Sequence, residues 1–135
     1  MQNTLTSVVT IKSPEDYDAL RQLLSTFASD INNALDAIKT VHFARIVFLD
    51  NNTKLALITE FDGDFDTYVQ DFASALGPVF DAVFQHIEDA PPLPVEDPQN
   101  TPAFVEYTKK HHLPPIYFYS AYPDLTVYNI LHPQP

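Results

Sequence analysis

The chain has 135 residues, enough for one domain, and carries 18 acidic against 7 basic side chains, a formal net charge of -11. So little positive charge argues against a nucleic-acid partner, and two glycines are too few to build a glycine-rich phosphate loop. The lack of cysteine excludes disulfides and thiolate ligands. We see no membrane-spanning stretch and no signal peptide, and therefore expect a cytoplasmic protein with no membrane partner.

The first predicted elements are a strand over residues 5–11 and one long helix over residues 15–39. The strand is rich in threonine and valine. The helix starts at Ser13-Pro14, a capping residue followed by a proline that fits the first helical position. Apolar residues recur every three or four positions along the helix, which predicts one buried face.

Two further strands are predicted over residues 41–50 and 54–62, joined by a tight Asn-Asn turn. If Leu49 pairs with Lys54, one face of this hairpin is apolar and should be covered by helices. The other face is mixed and holds eight side chains: Phe43, Arg45, Val47, Leu49, Ala56, Ile58, Glu60 and Asp62.

A second helical region follows, with Asp64 as its capping residue. Pro78 removes one backbone hydrogen bond and clashes with the preceding turn. The sequence therefore predicts a kink, or two shorter helices over residues 64–76 and 78–88.

The composition changes after the first 90 residues, because ten of the twelve prolines lie in residues 91–135. We interpret the chain as a single domain, with a body over 1–90 and a proline-rich extension. The extension should contain a helix over residues 101–111 and an aromatic strand over residues 116–122. Residues 124–131 fit either a final helical turn or an edge strand.

This order of elements predicts an α+β fold, the ferredoxin-like β-α-β-β-α-β pattern, with a proline-rich insertion before the last strand. Both long helices would lie on one face of a four-stranded antiparallel sheet. The uncovered face is too apolar to remain in water. We therefore expect a homodimer in which two such faces meet, as in a dimeric α+β barrel.

Three segments carry a family resemblance: residues 41–50 (VHFARIVFLD), FDG at 61–63 followed by YVQDF at 68–72, and 118–127 (FYSAYPDLTV). They resemble an uncharacterised bacterial family, over about two-thirds of the chain from Val41 onward. The resemblance implies a ferredoxin-like relative of the dimeric α+β barrels and no established activity. The wider superfamily includes monooxygenases, haem-degrading enzymes, chlorite dismutases and dye-decolorising peroxidases. None of their specific motifs is present, so no catalytic residue is carried over.

Three residues are candidate polar contacts for a small, partly apolar ligand. Arg45 and Glu60 are diagonal neighbours on the uncovered face, where they could orient an anionic or carbonyl group, or simply pair as ions. Tyr119 belongs to the aromatic last strand, which suits a small-molecule pocket or a dimer seam.

The histidines favour structural roles. His42 starts a strand on the side that helices should cover, and His86 lies near a helix end. His111 and His112 are adjacent and make a poor chelate on a helix, so we predict no metal site. The sequence requires no cofactor, although one histidine in an apolar pocket would be enough to ligate haem.

Three functions remain open from the sequence. The leading one is a small-molecule-binding homodimer. The second is an oxidative enzyme of the barrel type, either a cofactor-free monooxygenase or haem-dependent. The third is a structural or accessory protein that associates with an enzyme.

Overall fold

A computed structural model describes residues 1–134 and has the α+β architecture that the sequence predicts. The described residues form one antiparallel sheet in the order β1-β3-β2, made of β1 (Gln2–Thr10), β2 (Val41–Leu49) and β3 (Lys54–Asp62). They also form five helices: α1 (Pro14–Thr26), α2 (Ala28–Ile38), α3 (Phe65–Phe84), α4 (Thr101–His111) and α5 (Val127–Leu131). This order matches the ferredoxin-like pattern without its last strand.

The predicted hairpin register is confirmed. Leu49 pairs with Lys54, and the turn between them contains three residues with positive φ: Asp50, Asn51 and Asn52, at 53°, 52° and 65°. One sheet face packs against the helices. The other, which we call the open face, consists of fourteen residues from three strands: Gln2, Thr4, Thr6, Val8, Thr10, Phe43, Arg45, Val47, Leu49, Lys54, Ala56, Ile58, Glu60 and Asp62.

A bulge at the start of β2 overturns the prediction for His42. Val41 pairs with Phe61 and Phe43 pairs with Glu60, which leaves His42 as the extra residue. The His42 ring contacts a residue of the open face, since its Nε2 lies 2.7 Å from Oδ1 of Asp62.

The predicted single helix over 15–39 is wrong, because the chain breaks at Phe27 into α1 and α2. Phe27 has φ -90° and ψ 3°, outside the helical range. Just before it, the Thr26 hydroxyl donates to the Gln22 carbonyl at 2.9 Å, a side-chain bond that bends helices. The apolar periodicity continues across the break and therefore does not reveal it.

The second helical region is one bent helix. α3 runs through Pro78 with non-helical dihedral angles at Leu76, which confirms the predicted kink, and it ends at Phe84 rather than 88. Its capping residue is confirmed too, since Asp64 Oδ2 accepts the Thr67 backbone N–H at 3.0 Å. Both starts follow the sequence signals, because Ser13 caps α1 in the same way.

The core lies between the sheet and α3. Its deepest group is an aromatic stack, with the Tyr68 and Phe61 ring centroids 3.7 Å apart and Phe72 beside them. α4, confirmed over 101–111, packs on α3 and contributes the buried Phe104. Burying a side chain of this size contributes roughly 2–3 kcal/mol, so the helices hold this face of the sheet firmly.

The predicted strand over residues 116–122 is wrong. The chain lies beside β1 only briefly, where the Leu113 backbone N–H donates to the Thr6 carbonyl at 2.8 Å. Two residues without a backbone N–H follow, Pro114 and Pro115, and they cannot continue the ladder. The chain therefore leaves the edge of β1 at this point.

Residues 114–121, which we call the aromatic loop, project from this edge. The chain returns to the sheet where Gln2 Nε2 donates to the carbonyls of Tyr122 and Leu125, both at 2.8 Å. Between these anchors, Ile116 is fully exposed and Tyr119 is 69% exposed. Residues 124–131 resolve as a helical turn, α5, whose capping residue is Thr126.

Candidate functional site

The helices do not seal the whole of the sheet they cover. A pocket of about 570 Å³ lies between α1, α2 and α3 on one side and β2 and β3 on the other. Its volume falls in the range of small-molecule sites, roughly 300–1,000 Å³.

Most of its lining is aliphatic or aromatic and comes from five elements. These apolar residues are Leu24, Ala28, Ile31, Leu35, Ala44, Ile46, Phe48, Leu55, Leu57, Phe72, Leu76, Val79, Phe80 and Val83.

The pocket exists because α2 packs loosely. The break at Phe27 redirects the chain, and no residue of α2 becomes fully buried, although Ile31 and Leu35 face the core as the sequence predicts. The kink at Leu76 bends α3, which forms the opposite wall. Large apolar side chains therefore line a space that no side chain of the described chain fills.

Four polar residues complete the lining. Arg21, Asn32 and Arg45 are exposed and stand at the mouth, between α1–α2 and the free edge of β2. The strand register places the Cβ atom of Arg45 on the open face. Because β2 is an edge strand, the Arg45 side chain also lines the mouth of the pocket at that edge of the sheet. Thr59 is fully buried and forms part of the floor.

The Thr59 hydroxyl of the floor is hydrogen-bonded to Tyr68, a buried residue behind the lining. Tyr68 O–H donates to Thr59 Oγ1 at 2.8 Å. Burial raises the pKa of Tyr68 well above its ordinary value, so its hydroxyl stays protonated at neutral pH. The Thr59 hydroxyl proton is left free to meet an acceptor in the pocket.

The structure separates the three predicted ligand contacts. Arg45 lines the pocket, Glu60 lies on the open face and Tyr119 lies in the aromatic loop. Arg45 pairs in register with Ile58 and is diagonal to Glu60, as predicted. Within residues 1–134 they do not approach to ion-pair distance. Ligand contact by these three residues stays a prediction.

All five histidines lie outside this pocket, and each has a backbone or carboxylate hydrogen-bond partner. His86 Nδ1 contacts Asp16 at 2.7 Å, and His112 Nδ1 accepts the Thr6 N–H at 3.1 Å. None lines the described pocket, so the pocket wall offers no histidine to haem iron. In the part of the chain that the structure describes, no cluster of three ligating side chains could hold a metal ion.

Sequence patterns identified the walls of this pocket but not the space between them. The apolar positions of the first helical region and the second strand predict core residues that pack directly on one another. One signal in the sequence bears on the mouth of the pocket: both arginines of the chain, Arg21 and Arg45, lie in the elements that form it.

Comparison with known proteins gives a structural likeness. No family model matches the chain, and no curated protein matches it. The fold resembles that of the tetracenomycin F2 cyclase from Streptomyces glaucescens, a type-II polyketide cyclase. The TM-score is 0.55 at 15% identity, over 87% of this chain and 97% of the cyclase chain.

This likeness confirms the fold class, α+β and ferredoxin-like. Among the described residues, no helix is both long and apolar enough to cross a membrane.

Proposed function

We propose that this protein binds a small apolar molecule in the pocket between α1–α2 and the sheet. The observation that carries the proposal is the pocket itself: about 570 Å³, lined mainly by apolar side chains, with polar groups only at its mouth and floor. Apolar surface that moves from water into such a space contributes roughly 25 cal/mol per Å². The few polar groups of the pocket can contact and orient a ligand, and we therefore propose a binding function.

The test uses an uncharged fluorescent probe and a variant that fills the pocket. Phenylnaphthylamine, whose fluorescence rises in apolar surroundings, is titrated into the wild type and Ala44→Trp. Ala44 is exposed at the mouth, on a strand that tolerates an aromatic residue. The control is Ala37→Trp, an equal change at an exposed position of α2 away from the pocket. We expect binding to be lost in Ala44→Trp alone; equal binding by all three proteins would refute the proposal.

We also propose that a second copy of the chain covers the open face, giving a homodimer. This face holds Phe43, 75% exposed, and Leu49, 41% exposed, together with the partly buried Val47 and Ile58. An apolar area of this kind on one sheet face is typical of an interaction surface. In the dimer, Glu60 lies at the interface.

Charge favours the same surface. Copies with a net charge of -11 repel one another wherever acidic residues face each other. The aromatic loop contains no charged residue, and the open face carries the cation Lys54 beside Glu60 and Asp62. These surfaces can approach a second copy at the least electrostatic cost.

Sedimentation equilibrium tests the dimer. Val47→Glu places a carboxylate in the middle of the open face, and we expect it to yield monomers. Ser29→Glu adds the same charge on the exposed side of α2 and should leave the dimer intact. A monomeric wild type, or a dimer that survives Val47→Glu, would contradict the proposal.

A further inference from the structure

Both arginines of this chain lie at the proposed ligand pocket. Only two of the 135 residues are arginine, and the surface is otherwise strongly acidic. Both of them, Arg21 on α1 and Arg45 on β2, line the mouth of the same apolar pocket. They approach it from opposite walls.

Neither guanidinium group is used to pair with a carboxylate in the described chain. The ion pairs of residues 1–134 involve His42, His86 and Lys109. Arg21 lies beside the Tyr17 ring, with its guanidinium carbon 5.8 Å from the ring centroid, which leaves its donors open to solvent. Both arginines are exposed, so their charge is hydrated and free to meet a ligand.

The pocket is polar at one end and apolar along its length. The mouth offers two guanidinium groups and the Asn32 amide, whereas the interior is aliphatic and aromatic down to the single Thr59 hydroxyl. An anionic group at the mouth keeps contact with water and gains charge-assisted hydrogen bonds, so its desolvation cost is small. An anion placed inside would lose its hydration without compensation.

We infer that the ligand is an amphipathic organic anion, with an apolar body in the pocket and one carboxylate-like or sulfonate-like head between Arg21 and Arg45. This inference rests on the proposed binding function and adds the chemical class of the ligand. It also gives the arginines a shared role in ligand selection, because a cationic head is repelled at the same mouth.

Two probes with the same apolar ring system distinguish the inference of an anionic ligand from the proposed binding function. Anilinonaphthalene sulfonate and phenylnaphthylamine have the same ring system, and only the first carries an anionic group. Both are titrated into the wild type, Ala44→Trp, the double variant Arg21→Gln/Arg45→Gln and Lys110→Gln. Lys110 is exposed on α4 and lies outside the pocket, so Lys110→Gln lowers the positive charge without touching the mouth.

We expect the double variant to weaken binding of the sulfonate by roughly tenfold or more relative to its effect on the uncharged probe. Lys110→Gln should change neither, and Ala44→Trp should abolish both. If both probes need the pocket but the arginine variants bind the sulfonate as tightly as the wild type, the inference is wrong and the binding function stands. If neither probe responds to Ala44→Trp, the binding function itself is wrong.

Discussion

Two buried tyrosine hydroxyls meet opposite environments. Tyr68 donates to Thr59 at 2.8 Å, whereas the Tyr107 hydroxyl oxygen is buried with no hydrogen-bond partner in residues 1–134. Burial, aided by the nearby Asp89 carboxylate, raises the pKa of Tyr107 to about 12. A buried hydroxyl without a partner costs about 1–3 kcal/mol, while a paired one contributes about 1 kcal/mol.

These environments predict opposite effects of the same substitution. Tyr107→Phe removes a group that gains nothing from the fold, and we expect the free energy of unfolding to rise by about 1 kcal/mol. Tyr68→Phe leaves Thr59 without its partner and should lower it by about 1–3 kcal/mol. Urea unfolding at neutral pH measures both, and a loss of stability in Tyr107→Phe would show that its hydroxyl has a partner.

Tyr107 also makes the stability of the fold depend on pH in the alkaline range. Its pKa in the folded chain, about 12, lies above its ordinary value of 10.0. The unfolded chain therefore loses this proton first, so stability is full below pH 10 and is lost as the pH rises through 12. Tyr107→Phe should lose less stability over this interval than the wild type. Equal losses in urea titrations would contradict the assignment.

Asp64 makes the stability of the fold depend on pH in the acidic range. The Thr67 backbone N–H and hydroxyl hold the pKa of Asp64 below its ordinary value of 3.8. A lowered pKa means that stability is present above pH 3.8 and is lost as the pH falls through the folded value. Asp64→Ala should lower the urea midpoint at neutral pH and flatten its fall in acid. Asp71→Ala, an equal loss of charge on the exposed side of α3, should do neither.

At the scale of elements, local signals predicted those features that depend on local chemistry. The Asn-Asn turn fixed the register of Leu49 with Lys54, and the capping residues placed the starts of α1 and α3. The break at Phe27 escaped prediction because it lies within an unbroken apolar pattern, next to a Thr26 hydroxyl that bonds to the Gln22 carbonyl. The aromatic composition of 116–122 favoured a strand, yet two prolines detach the chain from β1 before that strand can form.

One carboxylate holds the C-terminal element to the sheet. Asp62 contacts His42 through Oδ1 and accepts the Val127 backbone N–H through Oδ2, both at 2.7 Å. We expect Asp62→Ala to release α5, which would speed amide hydrogen exchange over 127–131 while leaving α3 protected. Glu60→Ala, two residues along the same strand, is the control. Unchanged exchange in Asp62→Ala would mean that other contacts hold this segment.

At the scale of the whole molecule, the net charge opposes the association of two copies, whereas the apolar open face favours it. Each copy carries a charge of -11, and the Debye length is about 10 Å at 0.1 M salt. Added salt screens the repulsion between copies and strengthens the apolar contact. We therefore expect the dimer dissociation constant to fall as salt rises in sedimentation experiments. A dimer that weakens with salt would point to an interface dominated by ion pairs.

The candidate site also belongs to this scale, which is why the sequence revealed only part of it. Strand alternation is enough to mark Arg45 as a residue at an uncovered surface, and the structure places it at the pocket mouth. The pocket itself arises from the way α2 sits on the sheet after the break at Phe27. No local pattern encodes that gap. Glu60, predicted on the same grounds as Arg45, lies on the open face outside the pocket lining, and Tyr119, predicted from the aromatic composition of its segment, lies in the aromatic loop.

The aromatic loop has a consequence for how the folded protein is cleaved. Chymotrypsin cuts after aromatic residues in exposed chain, and Tyr117, Phe118 and Tyr119 offer consecutive sites between two anchored ends. Because Gln2 and Asp62 are hydrogen-bonded to the chain beyond the loop, the two fragments should stay associated until the protein is denatured. The rate of this single cut then reports directly, at each protein concentration, whether another molecule is lying over the loop.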